Sequence, residues 1–161
     1  MVYKEWMMKL MLNAFPPLFF NRIRVKRISE GFREIDVRVG KSILNTNLQG
    51  AIFGGTIFSG ADPYYAIMYW QIFLREGIKC EAWLKAAEID YQKPARSSLT
   101  YQYRLSEEDV QEAVETVKKE GRFKKWHDLY AIDKWGDVCA HVRTLVYLRT
   151  PKGSNKPTSN F

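Results

Sequence analysis

A few positions between residues 47 and 62 carry the residue types that activation of a carbonyl group requires. Gly54 and Gly55 open a long apolar run, and the first N–H groups of a helix have no acceptor within that helix. Such N–H groups hold a developing oxyanion, an effect worth roughly 3–4 kcal/mol in enzymes. Asp62 is a candidate general base or nucleophile. Together they predict a site that polarises a carbonyl group and directs a nucleophile at its carbon.

Each of these residues also has a purely structural interpretation. Two adjacent glycines serve close packing against a strand equally well. Asp62 lies in an apolar segment, where burial of an unpaired carboxylate is costly and raises its pKa. The structural alternative for Asp62 is an ion pair, or a cap of the backbone near Pro63. Lys85, on a predicted strand, is the candidate cation, although lysine is rarely buried and usually extends from a sheet into solvent.

The spacing of Gly55 and Asp62 limits how they can act together. Their separation of seven residues corresponds to about 10 Å along one helix. From a single helix, both groups therefore cannot reach the same carbonyl carbon at hydrogen-bond range. If both act, Asp62 belongs to a second subunit, and the site forms at a dimer interface.

Hydrophobic periodicity predicts the elements that position these residues. Apolar residues recur every three or four positions in the predicted helices and alternate in the predicted strands. Pro63 lacks an N–H group, so we expect the long central helix to bend near residues 59–63. The predicted order is a helix over 3–15, two strands within 22–39, a helix over 54–76, strands over 80–91 and 98–105, a helix from Ser106 to Gly121, and strands over 125–133 and 138–148.

The central helix is apolar on nearly every side, so other elements must cover all of it. A curved antiparallel sheet of about six strands wrapped round this helix meets that need, in the α+β architecture called the hotdog fold. A lone hotdog domain exposes a sheet edge and part of its helix, so we expect dimers. We predict one such domain over residues 1–150 and a flexible tail over residues 151–161.

The composition is that of a globular chain. Its 161 residues are 46% hydrophobic, 14% aromatic and 27% charged, which excludes a disordered or fibrous protein. Cys80, Cys139 and the two histidines have no metal-ligand spacing. We therefore expect no disulfide, no metal site and a cytoplasmic location. The segment 51–74 is apolar enough for a membrane span, but Asp62 and Pro63 interrupt it, so we expect a core helix.

The net charge is +7, and residues 1–50 hold nine basic and four acidic side chains. A basic surface suits nucleic acid, an acidic membrane or a phosphate-bearing small molecule. The basic run 118–127, with interleaved aromatic residues, is a candidate contact for phosphates, although charge runs usually face water. No nucleic-acid-binding motif accompanies the charge, so we expect neither a nucleic acid nor a membrane as partner.

A longer pattern through this region resembles a known signature, that of hotdog-fold acyl-CoA thioesterases of the phenylacetate-pathway type. That signature has an Asn, a Gly, a His-Gly-Gly triplet and then an acidic residue. The stretch 83–96 resembles the strand that follows the long helix in the same superfamily. Within that superfamily the chain is most similar to a thioesterase-like branch known as DUF4442, over about residues 20–150. The matching residues are Asn47, Gly50, Gly54, Gly55 and Asp62.

The resemblance implies hydrolysis of an acyl-CoA or a similar thioester at a dimer interface, in a homodimer or a tetramer. It implies no cofactor beyond the coenzyme A of the substrate itself. Phe53 stands where the signature has histidine, so a non-catalytic acyl-CoA-binding or regulatory protein is the alternative. The implied catalytic residues are Asp62, Gly55 and Asn47, and the implied substrate-binding residues are Gly54, Phe53, Phe58 and Lys85.

Overall fold

Buried and exposed side chains alternate along the strands, so the sheet has one apolar face that packs on a central helical segment. The computed structural model describes residues 1–151 and contains six antiparallel strands in one sheet. Every predicted strand is present, and the predicted α+β architecture is confirmed. The helices are α1 Glu5–Ala14, α2 Pro16–Phe20, α3 Gly54–Ser59, α4 Tyr64–Arg75 and α5 Glu107–Glu120; the strands are β1 Ile23–Ile28, β2 Glu34–Val39, β3 Glu81–Tyr91, β4 Leu99–Arg104, β5 Arg122–Asp133 and β6 Val138–Arg149; short 3₁₀ turns cover Glu30–Phe32 and Ile43–Asn45.

The strand order is β1-β2-β4-β5-β6-β3, and every neighbouring pair is antiparallel. β5 and β6 form a hairpin closed by residues 134–137, as predicted, and Gly136 supplies the positive φ of 91°. On β2 and β4, the buried Val37 lies opposite the buried Tyr101, so these strands turn matching faces toward the core. This order leaves β1 and β3 as the two edges of the sheet.

The central helical segment is interrupted, whereas the apolar pattern predicted one bent helix over 54–76. α3 ends at Ser59 and α4 begins at Tyr64. Pro63 has no N–H group to donate to the Ser59 carbonyl, so a regular helix cannot pass through this point. The location of the irregularity is confirmed, but the prediction of a continuous helix is wrong, because the chain breaks the helix over residues 60–63.

Two buried tyrosines of β4 hold this break. The Tyr101 hydroxyl donates to the Ile57 carbonyl at 2.7 Å, and the Tyr103 hydroxyl donates to the Gly60 carbonyl. Among the described residues, Tyr103 is the one donor to the Gly60 carbonyl. A Cβ atom on Gly60 would lie 2.9 Å from Tyr101 Cε2. Glycine is therefore needed here, since a larger residue would push the break away from the sheet.

Pro16 ends one helix and begins the next. Phe15 is extended, as is usual for a residue before proline, and α1 stops at Ala14. Proline is favoured at the first position of a helix, and Pro16 starts α2, which the sequence did not predict. The later helix α5 follows its prediction, because Ser106 and Asp109 form a capping box at its start.

The two edges of the sheet differ. On β1, the Asn13 side chain bonds both the N–H group and the carbonyl of Val25, at 2.8 and 3.1 Å, as a neighbouring strand would. Lys9 Nζ donates to the Lys26 carbonyl at 2.8 Å. On β3, in contrast, no described segment bonds the outer backbone edge. An unprotected edge of 11 residues is a site for pairing with another strand.

Three further sequence predictions concern the whole chain. The predicted flexible tail over residues 151–161 lies outside the described residues, apart from Pro151. Among the described residues, no helix combines the length and the apolar character that crossing a membrane requires. Cys80 and Cys139 are both buried and unbridged.

A matched pair of substitutions tests the role of the tyrosine hydroxyls. Tyr103 and Tyr64 are both fully buried with ring centres 4.9 Å apart, but the Tyr64 hydroxyl has no hydrogen-bond partner among the described residues. Tyr103→Phe leaves the Gly60 carbonyl unsatisfied, so the free energy of unfolding should fall by about 1–3 kcal/mol. Tyr64→Phe removes an unpaired hydroxyl and should be neutral or stabilising. Urea denaturation measures both variants, and equal losses would contradict this account of the break.

Candidate active site

α3 begins beside a groove at one end of the sheet. The walls of the groove are the turn over residues 47–51, the first residues of α3 and the segment 91–95, which begins at the last residue of β3. The groove is open to solvent and has a volume of about 540 Å³. The structure therefore brings together one half of the predicted site. The predicted residues that line the groove are Asn47, Phe53, Gly54 and Gly55.

The first two N–H groups of α3 have no acceptor within residues 1–151. The N–H groups of Thr56 and Ile57 both bond the Phe53 carbonyl, at 2.9 and 3.2 Å. The N–H groups of Gly54 and Gly55 precede them and bond no acceptor among the described residues. Both glycines are partly accessible from the groove. They can therefore donate to an oxygen atom of a ligand that approaches the backbone closely.

Two aromatic rings flank the glycines. The Tyr91 hydroxyl donates to the Gly54 carbonyl at 2.9 Å, and a Cβ atom on Gly54 would lie 3.0 Å from that hydroxyl oxygen. The Phe53 ring packs on Gly55, where a Cβ atom would lie 2.5 Å from Phe53 Cε1. Gly54 therefore packs against the end of β3, as the structural interpretation of the glycines predicts, whereas Gly55 packs on the ring of Phe53. Sequence reasoning does not find Tyr91, because it lies 37 positions from Gly54.

Asn47 is exposed and closes the turn that forms one wall of the groove. Its Oδ1 atom accepts the N–H groups of Gln49 and Ala51, both at 3.0 Å. Its backbone N–H group bonds the Ala51 carbonyl at 2.7 Å. The side-chain oxygen thus serves the turn, which leaves the amide nitrogen of Asn47 to meet a ligand.

Asp62 lies in the helix break and is exposed, although the apolar pattern predicted a buried carboxylate. The break is the physical reason, because it turns this residue out of the helix core. Asp62 forms no ion pair or hydrogen bond with a described residue. Partial desolvation of its carboxylate raises its pKa above the ordinary value. Asp62 is therefore an unpaired carboxylate of raised basicity that a ligand can reach.

A second cavity, of about 240 Å³, contains Asp62 and shares no lining residue with the groove. Its walls include Ala66 and Trp70 of α4 and Trp83 and Leu84 of β3. It is thus a largely apolar cavity with one carboxylate at its rim. Within one chain the glycines and Asp62 face different cavities, in agreement with their separation along the sequence.

Lys85 does not neutralise Asp62, so the predicted alternative of an ion pair between them is wrong. The Lys85 ammonium lies 5.1 Å from the centre of the Tyr147 ring, and the residue is exposed on β3. Phe58 is half-buried on α3. Neither Phe58 nor Lys85 forms part of the walls of the groove or of the second cavity. Within one chain, a ligand in the groove or in the second cavity would therefore contact neither of these two predicted substrate-binding residues.

The basic run 118–127 is mostly a solvated helix end, in line with its structural interpretation. The lysines in the last turn of α5 are exposed, and Lys125 pairs with Asp109 at 2.8 Å. His127 is buried, its ring stacks on Tyr65 with centres 4.3 Å apart, and burial lowers its pKa to about 4. Among residues 1–151, no group of three His, Cys, Asp or Glu side chains is placed to hold a metal ion.

A curved antiparallel sheet of six strands that wraps a central helical segment is the hotdog fold, and solved structures agree with this class. A protein of unknown function from Pseudomonas aeruginosa, called a probable thioesterase, superposes with a TM-score of 0.79 at 18% identity, over 94% of this chain and 99% of that chain. A thioesterase from Haemophilus influenzae superposes with a TM-score of 0.68 at 9% identity, over 97% of each chain. The PaaI protein from the phenylacetic acid degradation operon of E. coli gives 0.64 at 17% identity, over 91% of this chain and 93% of that chain.

The chain belongs to the family described as Domain of unknown function (DUF4442), whose model matches residues 4–146. This match confirms the resemblance that the sequence carries and extends it to α1. A search of curated proteins gives no match. At such low identities the solved structures establish the fold alone, so the activity must be argued from the site.

Because Asp62 has no hydrogen-bond or ion-pair partner among the described residues, its replacement by asparagine should not destabilise the protein. Its raised pKa means that the folded state disfavours the charged carboxylate. At neutral pH, Asp62→Asn should therefore leave the free energy of unfolding unchanged or slightly higher. The difference in stability between the variant and the wild type should vanish towards about pH 3, where the Asp62 carboxyl group becomes neutral in both the folded and the unfolded state. Urea denaturation across this range is the measurement. A loss of a few kcal/mol at neutral pH would contradict the unpaired carboxylate and indicate an ion pair.

Proposed function

We propose that this protein hydrolyses an acyl-CoA or a similar thioester at a site composed of two subunits. The observation that carries the proposal is the placement of two complementary halves beside the open edge strand β3. One half is the groove with the free N–H groups of Gly54 and Gly55. The other half is the cavity with the unpaired carboxylate of Asp62. The names of two compared structures, a probable thioesterase and a thioesterase, support this reaction class.

The open edge of β3 offers the contact for a homodimer. β3 has 11 residues with Ala86 at its centre. Antiparallel pairing of two copies about this centre would place residues 82–84 of one copy beside residues 88–90 of the other. Residues 82–84 line the cavity of Asp62, and Tyr91, at the end of the strand, lines the groove. Such pairing directs Asp62 of each subunit toward the glycines of the other.

In the proposed reaction, the carbonyl oxygen of the thioester accepts hydrogen bonds from the Gly55 and Gly54 N–H groups. The Asp62 carboxylate of the second subunit removes a proton from water, and the resulting hydroxide adds to the carbonyl carbon. The C–S bond then breaks and the thiolate takes the proton, which yields a carboxylic acid and a free thiol. In the nucleophilic variant, the carboxylate attacks the carbonyl carbon and the C–S bond breaks, which gives a mixed anhydride and a thiolate. Water then hydrolyses the anhydride, which restores the Asp62 carboxylate, and one proton of the water goes to the thiolate.

The remaining groove residues would orient the substrate. The Phe53 ring can contact an acyl group but donates no hydrogen bond, so the backbone must polarise the carbonyl. The amide nitrogen of Asn47 can donate to the substrate or to water. No cofactor takes part, since coenzyme A enters as part of the substrate. We also propose a cytoplasmic location, which the two buried free thiols, Cys80 and Cys139, support.

Phe53 also favours a second candidate function, the non-catalytic binding of acyl-CoA. Its ring packs on Gly55, and the residue as a whole is 59% exposed. The ring therefore occupies space beside the N–H groups that would polarise the carbonyl. In this alternative the groove holds an acyl group for recognition or regulation, and Asp62 has no chemical role.

Asp62→Asn separates these two functions. If Asp62 is the base or nucleophile, turnover should fall by at least ~10², while binding persists because volume and polarity are kept. Release of free thiol from a panel of acyl-CoA thioesters measures turnover. A rise in melting temperature with the same compounds measures binding. The control is Glu115→Gln, which removes a charge from an exposed position of α5 and should retain wild-type turnover.

Two results would count against hydrolysis by Asp62. A wild-type protein that binds acyl-CoA thioesters without releasing thiol would favour the binding function. An Asp62→Asn variant with the turnover of the wild type would remove Asp62 from the mechanism.

A further inference from the structure

A basic cleft, separate from the groove, lies on the outer face of the sheet where β1 and β4 begin and β2 ends. It has a volume of about 540 Å³, and four arginines, three lysines, two serines and one glycine line it. None of the acidic residues that the structure describes forms part of its wall. Arg24 and Arg38 line it from the paired strands β1 and β2. They face outward because Val25 and Val37, their neighbours on β1 and β2, are buried in the core.

None of the seven cations in this cleft forms an ion pair with a described residue. Arg24 and Arg38 lie directly opposite each other on paired strands, an arrangement of like charges that destabilises a sheet. Arg38 Nη2 bonds the Ser98 hydroxyl at 3.2 Å. Elsewhere on the same two strands, Arg27 pairs with Asp36 at 2.8 Å. The Arg24 guanidinium lies over the Phe19 ring and donates to the Asn13 carbonyl at 3.2 Å. No carboxylate among the described residues therefore neutralises the cleft, and an anionic ligand can do so.

The chemistry of the cleft selects a ligand with phosphate groups. Guanidinium groups present paired donors that match phosphate oxygens, and such charge-assisted bonds are about twice as strong as neutral ones. An anion in the cleft also relieves the repulsion among the cations. Seven cations in one cleft fit several phosphates better than a single carboxylate.

The basic cleft and the groove share a wall. Ala95 lines the groove, and the next residue, Arg96, lines the cleft. Arg96 Nη1 donates to the Gln49 carbonyl at 3.1 Å, and Gln49 is itself part of the groove. A ligand with one end in the groove can therefore cross this segment and place its other end in the cleft.

We propose that the basic cleft binds the phosphates at the nucleotide end of a coenzyme A thioester whose acyl end occupies the groove. The identity of this ligand rests on the proposed function, whereas the need for several phosphates comes from the cleft itself. The cleft residues then determine specificity, because they distinguish a coenzyme A thioester from a thioester without a nucleotide.

Adenosine 3′,5′-bisphosphate tests the cleft without any catalysis, since it carries phosphates on the same nucleoside but no thioester. Calorimetric titration of the full chain should show binding. The double variant Arg38→Gln/Lys41→Gln should weaken it at least about tenfold, the effect of losing one charged hydrogen bond. Lys118→Gln/Lys119→Gln removes two charges from the end of α5 and should bind as the wild type does. Absence of binding, equal binding by the cleft variant, or loss in the control variant alone would overturn the proposal.

Two substrates separate this proposal from the proposed function. In the Arg38→Gln/Lys41→Gln variant, kcat/KM for an acyl-CoA should fall at least about tenfold. The kcat/KM for the matching S-acyl-pantetheine, which has no nucleotide, should stay unchanged. Equal losses on both substrates would overturn the cleft assignment while hydrolysis stands. If the wild type hydrolyses neither, the proposed function fails, and the bisphosphate titration still decides the cleft. Phosphatidylglycerol vesicles and a short RNA are tested as competitors of the bisphosphate. If either binds the cleft more tightly than the bisphosphate does, the cleft belongs to that partner and the proposal is overturned.

Discussion

The break between α3 and α4 is the constraint on which the candidate site depends. Tyr101 and Tyr103 bond the carbonyl groups at the break, and Gly60 lets it lie close against β4. Because the helix stops there, Asp62 leaves the apolar core and stands unpaired at the surface. A continuous helix would bury the same carboxylate among apolar side chains, where its charge would be far more costly. The break thus lets an accessible carboxylate occupy an otherwise apolar segment.

The difference between the sheet edges is the second constraint. Asn13 occupies the bonding groups of Val25 on β1, so that edge accepts no further strand at this point. Within the described part of the chain, nothing protects the 11 residues of β3 in a comparable way. A sheet with one guarded edge and one open edge directs association to the open one. Both halves of the candidate site lie along β3, so in our account assembly and chemistry depend on the same strand.

Local patterns in the sequence predict most of the elements, because alternation and capping act over a few residues. The strands and the capping box of Ser106 follow these rules, and Pro63 marks the irregular point of the central segment. Contacts between distant segments are beyond such patterns. The bond of Tyr91 to Gly54 and the cations of the basic cleft come from segments that only the sheet brings together. The apolar neighbours of Asp62 predict burial, but the break reverses this.

The central claim, a site shared between two subunits, is tested most directly by mixing two inactive variants. Asp62→Asn lacks the carboxylate, and Gly55→Val obstructs the N–H groups, since even a Cβ atom there meets the Phe53 ring. Each homodimer should fail to hydrolyse an acyl-CoA. Differently tagged chains allow the heterodimer to be purified after co-expression. One of its two sites carries both substitutions and the other carries neither, so it should recover about half of the wild-type activity. A heterodimer as inactive as its parents would place both groups in one subunit and contradict the account.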